Sequence, residues 1–142
     1  MRGARLAAAI IALGIAFVLQ TTSDCEAQPR KESGTGAKGK TGFETLESRW
    51  LRPDGGYIIQ IRSVDSSGKI DAGYFNPRPI HVSKAQASKE GGKIKVFVEL
   101  SDAGYPGSTY TLTYDSKQDV LRGVYYQAAM KQSFDVYFTR MK

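Results

Sequence analysis

The last third of the chain alternates apolar and polar residues with a period of two, and this pattern constrains the fold more than any other feature. Four segments carry it in succession: residues 93–101, 108–115, 120–128 and 132–141. Because successive side chains of a strand point to opposite faces, each segment has one apolar face. The pattern predicts a meander of four antiparallel strands with one side turned towards a core.

Turn-forming residues separate these segments. In the connection 102–107, Pro106 presets the φ angle of one turn position and Gly107 accepts the positive φ that follows it in a type II turn. Residues 115–119 form a second short polar loop. Connections this short join strands that are neighbours in the sheet.

The same alternation begins earlier in the chain, and it predicts strands at residues 47–51, 57–62, 69–76 and 80–88. The last of these is open to a second interpretation, a short helix that starts at Ser83. About eight strands with turns between them predict an all-β domain. We expect an antiparallel up-and-down barrel, with a β-sandwich as the alternative, because short connections and the removal of exposed edges favour closure.

The first 27 residues are typical of an export signal. Arg2 and Arg5 precede an apolar run, residues 6–19, and a small residue, Ala27, stands before the expected cut. The apolar run is shorter than the ~20 residues that a membrane-spanning helix needs. A secreted or periplasmic location is therefore predicted. The alternative is a lipid anchor on Cys25, the only cysteine of the chain.

Residues 28–42 are predicted to be a flexible basic linker, and residues 43–142 a barrel domain. The linker has too few apolar residues to offset the entropy of ordering it. Its cations are Arg30, Lys31, Lys38 and Lys40. They are typical of a solvated tether, and the alternative is weak contact with an anionic envelope surface. Nucleic acid is not expected as a partner, because the signal predicts export and no strand interleaves basic and aromatic residues.

Short motifs in the first part of the domain resemble the opening of the avidin and lipocalin-like barrels, the calycins. They are Trp50, Asp54-Gly-Gly-Tyr-Ile-Ile-Gln-Ile, Val64-Asp-Ser-Ser-Gly-Lys-Ile and Ala72-Gly-Tyr74. In that superfamily a Trp on the first strand meets an Arg or Lys near the end of the last strand and closes one end of the barrel. The resemblance implies that Trp50 pairs with Arg140.

Two further segments, residues 74–79 and 105–114, resemble uncharacterised exported bacterial proteins, which implies no activity. The chain also departs from the biotin-binding calycins. Tyr74 matches a tyrosine of their ligand set, but Arg52 and Gly56 stand where an Asn and a Ser would be, and Trp50 is the only Trp. Biotin is therefore not the expected ligand.

Tyrosines are the strongest candidates for a binding site, because each combines an apolar ring with a polar tip. The predicted ligand-binding residues are Tyr74, Tyr110, Tyr114, Tyr125 and Gln127. Their alternative role is to fill the barrel, whose interior leaves room for side chains or one small ligand.

The predicted function is non-catalytic binding of a small, semi-apolar ligand by an exported barrel. The alternative is a structural or protein-interaction domain of the cell envelope that uses an outer aromatic face containing Phe97 and Tyr137. His81 and Ser83 are two residues apart, but no third catalytic partner can be named and no nucleophile elbow is present. One His and scattered carboxylates predict neither a metal site nor a cofactor.

Overall fold

The computed structural model describes residues 40–142. The predicted export signal lies outside this range. So do Cys25, the lipid-anchor residue of the alternative prediction, and Arg30, Lys31 and Lys38 of the predicted linker. Among residues 40–142, no helix combines the length and the apolar character that crossing a bilayer would take.

A short 3₁₀ helix, Phe43–Leu46, precedes the strands. The strands are β1 (Ser48–Arg52), β2 (Tyr57–Val64), β3 (Ile70–Asn76), β4 (Arg78–Ile80), β5 (Val82–Glu90), β6 (Lys93–Asp102), β7 (Tyr105–Asp115), β8 (Val120–Gln127) and β9 (Gln132–Arg140). They form one antiparallel sheet in the order β4-β3-β2-β1-β9-β8-β7-β6-β5. The sheet curls into a nearly closed up-and-down barrel, which confirms the predicted fold class over the sandwich alternative.

Strands β4 and β5 form two halves of one bent strand that lies beside β3. Only His81 separates them. Strand β4 pairs with the end of β3 at Tyr74 and Ile80, whereas β5 meets the start of β3 through a bridge between Lys69 and Gln86. The ring therefore has eight strand positions, as the spacing of turns predicted.

The helix alternative at Ser83 is wrong, because residues Val82–Glu90 form strand β5. Ala85 and Ala87 are buried and alternate with more exposed neighbours, which is the period of a strand. The register against β6 shifts between Val82 and Lys84, so a bulge lies at Ser83. Such a bulge bends a strand locally, and here it accompanies the bend between β4 and β5.

The ring closes at two places. Strand β1 pairs with β9 through Trp50 with Arg140 and Leu51 with Thr139, and the Met141 N–H extends this contact by donating to the Arg49 carbonyl at 2.8 Å. The second place is a seam between β3 and β5. There the backbone N–H of Ala87 donates to the carbonyl of Gly68 at 2.7 Å, next to the bridge between Lys69 and Gln86.

Inward-facing apolar residues fill the middle of the barrel. Those with 2% exposure or less on the strands are Trp50, Ile59, Ile61, Tyr74, Ala87, Val96, Val98, Leu100, Tyr110, Leu112, Leu121 and Phe138. Each fully buried large side chain contributes about 1.5–3 kcal/mol relative to exposure in water. The predicted inward faces of the strands are therefore the ones that build the core.

The 3₁₀ helix covers one end of the barrel. Its residues Phe43 and Leu46 are buried, and the indole Nε1 of Trp50 donates to the Leu46 carbonyl at 2.9 Å. This bond satisfies the only polar atom of a fully buried Trp, whose unpaired N–H would otherwise cost about 1–3 kcal/mol. Strand β1 then leads away from the covered end towards the opposite mouth.

Arg140 completes the covered end. Its guanidinium lies 4.3 Å from the centroid of the Trp50 ring. Its Nε and Nη2 donate to the Asp119 carboxylate at 2.7 and 2.9 Å, and Nη2 also donates to the Thr45 carbonyl at 2.7 Å. These hydrogen bonds from Arg140 hold the pKa of Asp119 below its usual value. The two residues paired by the calycin resemblance, Trp50 and Arg140, are thus in direct contact.

We expect Gly68→Ala to destabilise the protein more than Gly107→Ala. Both glycines have positive φ, 85° and 79°, so both substitutions meet the backbone cost of about 1–2 kcal/mol. A Cβ on Gly68 would also lie 2.1 Å from the Ala87 carbonyl oxygen at the seam, whereas a Cβ on Gly107 meets nothing within 4 Å. Urea unfolding of both variants measures the difference, expected to exceed about 1 kcal/mol. Equal losses would contradict the tight seam.

Candidate functional site

The mouth opposite the 3₁₀ helix holds a cavity of about 460 Å³ walled by aromatic side chains. We call it the tyrosine cup. Its lining residues are Arg52, Tyr57, Tyr74, Gly104, Tyr105, Tyr110, Tyr125, Gln127 and Phe134. This volume lies within the range of about 300–1,000 Å³ that small-molecule sites occupy.

Cross-strand pairing brings the walls of the cup together. Residues paired across an antiparallel ladder share one face of the sheet. Tyr110 on β7 pairs with Tyr125 on β8, which pairs with Phe134 on β9, so three rings form one inward row. The ring centroids of Tyr110 and Tyr125 are 4.5 Å apart, and those of Tyr125 and Phe134 are 6.4 Å apart. On strands β1 and β2, which follow β9 around the ring, Arg52 pairs with Tyr57 across the β1–β2 turn.

Two buried tyrosines form the floor. The hydroxyl oxygens of Tyr74 and Tyr110 are 2.9 Å apart and share a hydrogen bond. Burial raises the pKa of both phenols, and for Tyr110 the result is a pKa of about 12 although hydrogen bonds from Tyr74 and Arg52 act in the opposite direction. Both hydroxyls therefore remain neutral at physiological pH, and the floor carries no negative charge.

Among the described residues, Arg52 is the single charged residue of the lining. Its side chain is 13% exposed, and its Nε and Nη2 donate to the Asp54 carboxylate at 2.6 and 2.8 Å. Its Nη1 donates to the Tyr110 hydroxyl at 3.4 Å, and the guanidinium lies 4.7 Å from the Tyr57 ring centroid and 5.8 Å from that of Tyr125. Burial alone would lower the pKa of Arg52, but its hydrogen bonds to Asp54 and Tyr110 outweigh burial and raise that pKa. The guanidinium is therefore a fixed cation.

The rim of the cup is tied to the end of β3. The Asn76 Nδ2 donates to the hydroxyl of Tyr105, and the Tyr105 ring lies edge-on to Tyr74 with centroids 6.0 Å apart. Phe134 forms another part of the rim and is 42% exposed. The floor is therefore buried, and the rim offers apolar surface to solvent.

Four of the five predicted ligand-binding residues line the cup: Tyr74, Tyr110, Tyr125 and Gln127. Tyr114 lies at the covered end, where its hydroxyl donates to Asp119 at 2.9 Å and its ring lies edge-on to Trp50 with centroids 5.9 Å apart. Tyr110 and Tyr114 share a face of β7, but a strand rises about 3.3 Å per residue, so four residues place them about 13 Å apart along the barrel. The alternation of apolar and polar residues predicts on which face of the sheet a side chain lies, but it does not predict the position of that side chain along the barrel axis.

Arg52, Tyr57, Tyr105 and Phe134 belong to the cup and were not among the predicted ligand-binding residues. For Tyr57 a signal was available. It alternates with Ile59 and Ile61 and therefore shares their inward face, directly after the Asp-Gly turn at the mouth. Arg52 carries no such signal, since a charged residue before a turn is ordinarily solvated.

The His81 and Ser83 pair does not form a hydrogen bond with each other. Both residues are exposed, and the Ser83 hydroxyl donates to Glu99 Oε1 at 2.9 Å. The backbone N–H of His81 donates to Asp102 Oδ2 at 3.0 Å. Within residues 40–142, no group of three or more His, Cys, Asp or Glu residues is arranged to hold a metal ion.

Comparison with known proteins gives no match to this chain among protein-family models, curated proteins or solved structures.

We expect alkaline titration to show a delayed tyrosine phase. Burial raises the pKa of Tyr74, Tyr110 and Tyr125 above the ordinary value of about 10. Because the folded state holds these protons more tightly, the stability they contribute is complete below that pH and is lost as the pH rises through the folded values.

Tyrosinate absorbance, followed together with circular dichroism of the sheet, measures this phase. Tyr110→Phe should remove about one third of the delayed amplitude, since one of three shifted groups is deleted. The same titration in concentrated urea is the control and should show no delayed phase. A single phase in the native protein, with the dichroism unchanged, would count against the buried floor.

Proposed function

We propose that this protein is an exported, non-catalytic barrel that binds a small, semi-apolar ligand in the tyrosine cup. One observation carries the proposal: six aromatic rings surround a cavity of about 460 Å³ that opens at one mouth of the barrel. Tyr and Phe rings supply a large apolar contact area, and the hydroxyls and Arg52 supply a few polar contacts that orient a ligand.

Packing below the cup supports a ligand of limited size. Val96, Leu112 and Phe138 are completely buried in the middle of the barrel. A ligand is therefore held in the mouth, against Tyr74 and Tyr110, and does not run through the barrel. A preformed and rigid site lowers the entropic cost of binding.

We also propose a distant calycin relationship. Its support is the up-and-down meander of eight strand positions, the pairing of β1 with β9, and the stacking of Arg140 on Trp50 beside the covered end. The amino-terminal pattern of the sequence supports export to the periplasm or the outside of the cell, with lipid attachment at Cys25 as the alternative. Arg30, Lys31, Lys38 and Lys40 would give the exported chain a weak affinity for an anionic envelope surface.

The uncharged fluorescent probe phenylnaphthylamine tests the proposed site. We expect it to bind the full chain with a rise in fluorescence, and we expect Phe134→Ala to weaken this binding about fivefold, because the variant removes one exposed wall of the cup. Tyr137→Ala is the matched control, since Tyr137 lies on the same strand, is 47% exposed and faces outward. Absence of binding, or equal weakening by both variants, would disprove the site.

A second candidate function is protein interaction at the envelope through the outer face. Val124, Tyr126 and Tyr137 expose 39%, 38% and 47% of their surface on strands β8 and β9. Exposed aromatic residues on one face are a common feature of interaction surfaces. Capture of envelope proteins by the full chain, but not by residues 28–42 alone, would support it. Capture that a Tyr126→Ser, Tyr137→Ser variant retains in full would disprove it.

A further inference from the structure

We infer that the ligand of the tyrosine cup is an organic anion, an aromatic or aliphatic acid, and that Arg52 binds its acidic group. This inference rests on the proposed function, since it names the chemical class that the same cavity would bind. It is derived from the distribution of charge and hydrogen-bond donors around the cavity.

The lining of the cup carries positive charge and no negative charge among the described residues. Arg52 is a cation, and the remaining lining residues are aromatic, glycine or glutamine, with no carboxylate among them. Asp54, which pairs with Arg52, is not a lining residue, and its side chain is 57% exposed in the β1–β2 turn. A ligand in the cavity therefore meets the cation at close range, whereas the compensating negative charge lies on the solvent side.

The Arg52–Asp54 contact shows how a ligand acid can bind. A carboxylate receives two parallel hydrogen bonds from Nε and Nη2, at 2.6 and 2.8 Å, which is the bidentate geometry that guanidinium offers to carboxylates. The Asp54 carboxylate thus makes the same contact with Arg52 that we assign to the acidic group of the ligand. Because the Asp54 side chain is more than half exposed, its carboxylate can return to water when the acidic group of a ligand takes its place.

Arg52 also has donors left for a ligand. A guanidinium carries five N–H donors. Asp54 accepts two of them and the Tyr110 hydroxyl accepts a third, which leaves one on each terminal nitrogen. Tyr57 and Tyr125 contact the guanidinium and restrict its orientation, so little side-chain entropy is lost when an anion binds.

The tyrosines do not neutralise the cation from inside the cup. Burial raises the pKa of Tyr110 to about 12, so its hydroxyl is uncharged when Arg52 donates to it. The other tyrosine of the floor, Tyr74, shares its hydrogen bond with Tyr110 and has its pKa raised by burial as well. The lining therefore contributes one positive charge, which Asp54 offsets in part from outside the cup, and this charge favours an anion over a neutral molecule of the same shape.

Asp54 then opposes the ligand. Its carboxylate occupies two Arg52 donors and places a negative charge beside the incoming acid. Asp54→Asn keeps the shape of the side chain and removes the charge. The substitution should therefore strengthen the binding of an anion and leave the binding of a neutral molecule unchanged, an effect that a purely structural ion pair would not produce.

Two fluorescent probes with the same ring skeleton test the inference on the full chain. Anilinonaphthalenesulfonate carries a sulfonate, and phenylnaphthylamine lacks it. We expect the wild type to bind the anionic probe about tenfold more tightly, and Asp54→Asn to strengthen only the anionic probe by about fivefold, as removal of one like charge near a partly exposed site predicts. Arg52→Gln should weaken the anionic probe about tenfold and change the neutral probe by less than about twofold.

Two controls make these outcomes decisive. The anionic probe should bind less tightly as the salt concentration rises, and Tyr137→Ala on the outer face should change neither probe. Circular dichroism and thermal unfolding confirm that each variant is folded. If Arg52→Gln fails to fold, the solvent-exposed Asp54→Asn still decides the question.

The outcomes separate the two proposals. If neither probe binds the wild type in a manner sensitive to Phe134→Ala, the proposed function itself fails. If both probes bind in the cup with equal affinity and Asp54→Asn alters neither, the function stands and the anionic class is overturned. Selective strengthening of the anionic probe by Asp54→Asn supports the inference.

Discussion

Pairing between the first and last strands is the contact on which the rest of this structure depends. The ladder between β1 and β9 is short, with Trp50 opposite Arg140 and Leu51 opposite Thr139. An open meander of this length would leave two long edges unpaired and one face of its sheet uncovered. Closure turns that face into an interior. The stacking of Arg140 on Trp50 and its bonds to Asp119 reinforce the short ladder where it meets the 3₁₀ helix.

The two ends of the barrel use the same chemical unit for different purposes. Each end has an Arg that contacts aromatic rings and forms a bidentate pair with an Asp, Arg140 with Asp119 and Arg52 with Asp54. At the covered end, the backbone carbonyls of residues 45 and 47 accept further hydrogen bonds from Arg140, so the cation joins protein segments. At the mouth, within the part of the chain that the structure describes, the only further acceptor of the Arg52 side chain is the Tyr110 hydroxyl. The cation at the mouth therefore keeps donors for a ligand.

Periodicity predicted the faces of the strands because burial acts on alternate residues, and Val96, Val98 and Leu100 are completely buried as their pattern requires. The 3₁₀ helix Phe43–Leu46 was not predicted, since four residues are too few to show a helical period. The bend between β4 and β5 was also missed, because it depends on pairing with β3. Depth along the barrel and the place of Arg52 follow from register across turns, and alternation alone carries no information about register.

A packed interior is compatible with a binding site in this barrel, because the buried side chains below the mouth set the electrostatic properties of the tyrosine cup. Burial raises the pKa of Tyr110 to about 12 and outweighs the neighbouring Arg52 cation, which lowers that pKa, so the hydroxyl stays neutral beside the cation. Among residues 40–142, Arg52 is therefore the only charged side chain of the lining. If the interior were hydrated, water would screen the charge of Arg52 and weaken its interaction with an anion in the cup. The filled middle of the barrel thus confines a ligand to the mouth and strengthens the single electrostatic contact that the mouth provides.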